Sequence, residues 1–116
     1  MLAGGENIVT PQTIEAISAR HTVGLIDKTF SFQLDRGLGV VVDSKQCGPN
    51  SGWYGSRCSS RTWGHAGYNC SVGFLDPENR LVVALVFNGM PEAEPALHEE
   101  RVRATIDAIY DDVASG

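Results

Sequence analysis

Cys47, Cys58, His65 and Cys70 follow the pattern C-x10-C-x6-H-x4-C, the first place in this chain to look for metal or thiol chemistry. A structural zinc ion takes four ligands at about 2.0–2.3 Å, and the common sites supply them in short-spaced pairs. No such pair occurs here, so zinc ranks last of three readings. A Cys47–Cys58 staple closing the loop between them ranks second. Three reduced thiols rank first, because an odd number of cysteines leaves one without a partner, and this favours a cytoplasmic compartment. Ser71 lacks the G-x-S-x-G elbow that would mark a nucleophile. Asn69-Cys70-Ser71 matches a glycosylation sequon, a pattern that recurs by chance. His21 and His98 have no catalytic-type neighbours and read as structural. Trp53 and Trp63 suit either a cleft wall or an aromatic core.

The elements that must position these residues are few. With 116 residues the chain fits a single domain, and its 42% hydrophobic and 20% charged content is that of an ordinary globular protein. The net charge of −5 comes with nine scattered basic residues, which argues against nucleic acid as a partner because counterion release needs clustered Lys and Arg. No apolar run approaches the roughly 18 residues of a membrane span, and the N-terminal residues do not resemble a signal peptide. Thr10 caps a short helix opened by Pro11, with Ile14 and Ile17 on its apolar face. Residues 21–36 read as a loop with an extended piece around Val23–Ile26. Residues 37–43 read as a strand, and Ser44–Ser60, rich in Gly, Ser, Pro and Asn, as a loop. Strands are expected over 61–68 and 71–76, with a tight connection at Asn69-Cys70 between them. A turn follows at Asp76-Pro77-Glu78-Asn79, then a strand over 81–87 that Asn88-Gly89-Met90-Pro91 ends. The seven apolar residues of that last strand predict cover on both faces. A helix over 97–113 carries Val102, Ile106, Ile109 and Val113 as one stripe.

The order Trp63-Gly64-His65-Ala66-Gly67-Tyr68, Ser71-Val72-Gly73-Phe74, Asp76-Pro77-Glu78 and a strand ending Phe87-Asn88 resembles the serine β-lactamase and penicillin-binding-protein superfamily. The closest branch is that of class C-like β-lactamases and related esterases. Upstream, Met1 to Glu6, Val9 to Ile14 and Gly37-Leu38-Gly39 resemble the segment leading into that family's closing sheet. The resemblance covers nearly the whole chain and the last third of the family's domain. It implies an α+β fold: an antiparallel sheet with a packed C-terminal helix, a partial β-lactamase/transpeptidase-like fold. In that reading residues 1–116 form one partial domain, with a helix-and-loop lead-in over 1–36, sheet strands over 37–90 and the helix over 97–113.

The family's third active-site motif is Lys or His, a small residue and Gly, on an edge strand lining the cleft. The resemblance assigns it to His65, Ala66 and Gly67, with the backbone N–H of Tyr68 as oxyanion donor. The first two motifs, Ser-x-x-Lys and Tyr-x-Asn or Ser-x-Asn, do not occur in these residues. Lys28 and Lys45, the only lysines, follow Leu25 and Val42 by three positions, and no Asn stands two after a Tyr or Ser. The expected function is therefore a fragment of a serine hydrolase acting on a β-lactam, D-Ala peptide or ester, inactive by itself. A small-molecule substrate is expected only with the rest of the domain, and no cofactor is implied. The alternative is a non-catalytic binding module on the same scaffold. Without the rest of the domain, an exposed sheet face and open edge are expected, offering a surface for homo-oligomers. Cys70 occupies a turn position where the family commonly has glycine; a positive φ there would cost a cysteine about 1 kcal/mol.

Overall fold

A computed structural model describes residues 3–68, 70–89 and 95–116. Asn69, and with it the acceptor of the sequon and part of the 69–70 connection, lies outside the described residues, as do Met90 and Pro91. Helix α1, Pro11–Ser18, starts where its cap dictates: Thr10 Oγ1 accepts from the Thr13 N–H at 3.2 Å. His21 lies at the other end of that helix, its Nε2 2.6 Å from the Ala16 carbonyl. The loop expected over 21–36 is instead a small hairpin of β1, Ile26–Asp27, and β2, Phe32–Gln33. Asp27 builds its turn by accepting from the Thr29 and Phe30 N–H groups at 2.8 and 3.1 Å. Two-residue strands are too short to leave a periodic signal.

Strand β3 is only Val41–Val42, shorter than the 37–43 run suggests. Gly37 N–H donates to the Val40 carbonyl at 3.0 Å and Gly39 has φ +74°, so residues 37–40 fold into a tight loop. The Ser44–Ser60 segment carries two 3-10 turns and sends Tyr54 and Cys58 into the core. β4, Trp63–Gly67, β5, Ser71–Asp76, and β6, Leu81–Val86, then run antiparallel in the order β3-β4-β5-β6. Helix α2, Pro95–Ser115, covers one face. The fold is α+β, an antiparallel sheet with a packed C-terminal helix.

Alternation along the strands decides which side is which. Val72, Phe74 and Val83 point into the cluster that holds Ile106 and Tyr110 of α2. Phe74 is held between two rings, with centroids 5.0 Å from Tyr54 and 6.5 Å from Tyr110. Burying a side chain of this size contributes about 1.5–3 kcal/mol. Asp76 is fully buried beside this cluster and accepts from the Tyr110 hydroxyl at 2.8 Å.

Two expectations need correction. β6 is not covered on both faces: Val82 is 61% and Val86 81% exposed, because α2 lies on one side only and β6 ends the sheet. Val102, Ile106 and Ile109 of the expected α2 stripe pack on the core, but Tyr110 is buried with them and Val113 is 49% exposed. Tyr110 takes the inner position because Asp76 satisfies its polar tip. No helix of the described residues is long and apolar enough to cross a membrane.

Candidate active site

β3 pairs with β4 only at Trp63 and Gly64. From His65 to Gly67 the strand pairs with β5 alone, so among the described residues its other edge is open. The tripeptide thus begins where an inner strand becomes an edge strand. His65 and Gly67 face out, and Ala66 points back to the core cluster. The two glycines flanking His65 differ in what the fold demands of them. A methyl at Gly64 would lie 2.1 Å from the Gly73 carbonyl oxygen and 2.6 Å from Phe74 Cα, so close backbone approach requires glycine there. At Gly67 the main obstacle is the Ser71 hydroxyl at 2.2 Å, the tip of a side chain that can rotate. Packing within the chain does not explain Gly67. Tyr68 follows on the turn with its side chain 93% exposed, and the next described residue, Cys70, is buried with φ +67°, the strained geometry anticipated for that turn.

His65 sits in a small polar and aromatic setting. Its Nδ1 is 2.6 Å from the Ala66 carbonyl, which can only accept, so Nδ1 carries a proton and Nε2 is the outward nitrogen. Nε2 lies 3.5 Å from Arg36 Nη1. The Arg36 Nε and Nη2 groups both donate to Asp27 Oδ2, at 2.9 and 2.7 Å. That pairing, chiefly the hydrogen bond from Arg36, holds the Asp27 carboxyl below its ordinary range. Phe30 lies under the guanidinium at 5.7 Å, and Trp53 stands edge-on to both Phe30 and His65. The two tryptophans part company here: Trp53 borders the site and Trp63 is buried in the sheet. Arg36, Asp27 and Phe30 escaped the sequence reading. They stand 29 to 38 positions before His65 and arrive through a hairpin that has no sequence periodicity.

A second polar cluster lines an open cavity of about 1090 Å³. Arg20 Nη1 pairs with Asp35 at 2.6 Å, and Lys45 Nζ pairs with Asp43 at 2.7 Å. Cys58 donates to Asp43 at 3.3 Å, and Cys47 lies 4.0 Å from Asp35. The Cys47–Cys58 staple is therefore not formed, each thiol being turned to a different carboxylate, and all three cysteines are free. Burial, with Asp43 beside it, pushes the Cys58 thiol up to about 12, which makes it a poor nucleophile. No group of three metal-type side chains converges among the described residues.

The buried tyrosines offer no proton relay. Tyr54 donates to the Val41 carbonyl at 2.9 Å and Tyr110 to Asp76, and burial raises both phenols well above their usual value. His98 is likewise structural, lying edge-on to Phe87 with Arg101 2.8 Å from its Nδ1. At the open edge, by contrast, the exposed imidazole of His65 stands beside Arg36 and Trp53.

Comparison with protein families finds a match to the Beta-lactamase family over residues 1–108. Neither the curated proteins nor the solved structures give a match. The matched span includes α1, both sheets, the His65 edge and α2 as far as residue 108, nearly the whole of the chain. The chain belongs to the beta-lactamase family.

Proposed function

We propose that this chain supplies the third-motif wall of a serine hydrolase cleft in the class C-like and esterase branch of its family. In this reading it forms the C-terminal third of the domain, acting on a β-lactam, a D-Ala peptide or an ester. The observation that carries the reading is the open edge at His65–Gly67, beside a glycine that internal packing does not require. A substrate can lie along that edge as an added strand would, its polar backbone-like groups meeting those of β4. His65 presents Nε2 toward it. The Tyr68 N–H, further along the same strand line, is the donor for charge developing on a carbonyl oxygen.

These 116 residues hold no Ser-x-x-Lys, so the nucleophile and its base come from elsewhere in this reading. The exposed side of β6, with Val82 and Val86, is where the remainder of the domain packs. The test uses a chromogenic ester and a chromogenic cephalosporin. The chain alone gives no acylation burst, and mixing it with a polypeptide carrying an in-frame upstream Ser-x-x-Lys restores turnover. A burst from the chain alone sinks the reading. Absence of any such motif upstream, together with self-association through β6 seen as a concentration-dependent mass, would turn it toward a dimeric binding module.

A further inference from the structure

We infer that His98 and Arg101 form an acid-sensitive latch, which ties the first turns of α2 to the end of β6 and opens when His98 takes up a proton. The later turns of α2 are fastened without it. Ile106 and Tyr110 are buried in the core, and Tyr110 donates to Asp76. Toward the start of the helix these buried anchors run out and a polar cluster takes over. Arg101 Nη2 donates to the Gly89 carbonyl at 3.0 Å, and its guanidinium lies over the Phe87 ring at 4.4 Å. His98 meets the same ring edge-on, with centroids 5.6 Å apart.

The two side chains also meet each other, Arg101 Nη2 lying 2.8 Å from His98 Nδ1. A guanidinium only donates, so at this distance Nδ1 accepts and the imidazole is neutral, with its proton on Nε2. A protonated His98 carries hydrogen on both nitrogens. The same approach then sets donor against donor and cation against cation, and Arg101 must leave, giving up Gly89 and Phe87 together. Among the described residues the charged groups about the ring are Arg101 and Glu99, both of α2, while Phe87 of β6 carries no charge. Burial first, and then Arg101, hold the imidazole below its ordinary 6.5 against the opposing pull of Glu99. The unfolded chain has no such hold and takes up the proton first. Stabilisation by the latch is therefore complete above the ordinary value, falls as pH drops below it, and is gone below the folded one. Opening stays local, because the anchors at Ile106 and Tyr110 do not titrate in this range.

The test follows the unaltered chain by NMR from pH 7.5 to pH 5. The His98 ring, the Gly89 amide and the Arg101 Nε–H group are expected to shift together with one midpoint. Hydrogen-exchange protection of the α2 amides from Glu99 to Val102, corrected for the intrinsic rate, falls about fivefold, as loss of an exposed contact allows. Protection from Ile106 to Tyr110 holds. His98→Gln keeps an acceptor for Arg101 and cannot titrate, so its Gly89 and Glu99–Val102 signals stay constant. A His98 ring that titrates while Gly89 and Arg101 stay still overturns the inference, as does a pH response that survives His98→Gln. His21 stands beyond α1 and His65 on β4, so protonation of either is read at other residues. Should His98→Gln fail to fold, co-titration in the unaltered chain still decides.

Discussion

Asp76 and His65 lie on neighbouring strands of one sheet and are treated in opposite ways. Asp76 is fully buried and accepts six hydrogen bonds: from the N–H and hydroxyl of Ser59, the N–H groups of Glu78 and Asn79, the Asn79 amide and the Tyr110 hydroxyl. It ties the loop before β4, the β5–β6 turn and helix α2 to one carboxylate. His65 faces out, held by one short contact to its neighbour's carbonyl and one long approach to Arg36. A group whose partners are all within the chain serves the fold. A group left with donors and acceptors facing an open edge is free to meet a ligand, the role proposed for His65.

The sharpest way to break that comparison is Asp76→Ala. It leaves two hydroxyls, three backbone N–H groups and an amide without their acceptor, and the expected loss is about 3–5 kcal/mol in urea denaturation. The pH dependence follows from the same carboxylate. Burial alone would raise its pKa, but the hydrogen bonds from Ser59, Asn79 and Tyr110 together hold it below the ordinary 3.8. Folded and unfolded chains are both ionised above that value, so the contribution is complete there. As pH falls below about 4 the unfolded chain takes up the proton first and stability drops. A melting temperature that stays flat from pH 6 to pH 3 would show that Asp76 is no hub.

Gly64→Ala is next. The added methyl meets backbone atoms at 2.1 and 2.6 Å, which cannot move without disturbing the β4–β5 ladder, and the expected loss is about 3 kcal/mol. The same change at Gly67, where a hydroxyl can swing aside, serves as its control and leaves the denaturation midpoint nearly unchanged. Equal losses at both positions would mean that Gly67 is structural after all.

How much of this was legible in the sequence also divides along the comparison. The α1 cap, the turn at Asp76-Pro77 and the strands on either side of it follow local rules of capping, proline geometry and β-branched runs, and they form where expected. The strand that carries His65 was legible too, forming over Trp63–Gly67 within the expected 61–68. Tyr110 was not: the apolar stripe passed it over because periodicity counts hydrophobes and ignores a hydroxyl that finds a buried partner 34 positions away. Arg36 was hidden for a similar reason, since only the hairpin carries it to His65. The unbroken apolar run of β6 promised two covered faces and one is exposed, because composition records hydrophobicity and not which neighbour packs on each side.

Tyr110→Phe tests the hub at single-atom resolution. The ring still packs on Phe74, but Asp76 loses one of its six donors, and a hydrogen bond to a charged group contributes about 1.5–3 kcal/mol. The expected cost lies near the lower end, because five donors remain. Its effect in the Asp76→Ala background should largely vanish, as a double-mutant cycle would show.

His65→Ala should do least to the fold. The side chain is exposed, and its only short hydrogen bond is to the next residue's carbonyl, which it can relinquish to water. A surface change of this kind stays within about 0.5 kcal/mol. Urea denaturation of the variant is therefore expected to overlay that of the unaltered chain, while any affinity for the proposed β-lactam, D-Ala peptide or ester substrate at this edge falls. A large loss of stability would reverse the comparison, because His65 would then be holding Trp53 and the hairpin in place and its exposure would say nothing about a ligand. Retained stability with weakened binding of such a substrate would separate the two regions: one carboxylate spent on folding, and one imidazole meeting a molecule from outside, as proposed.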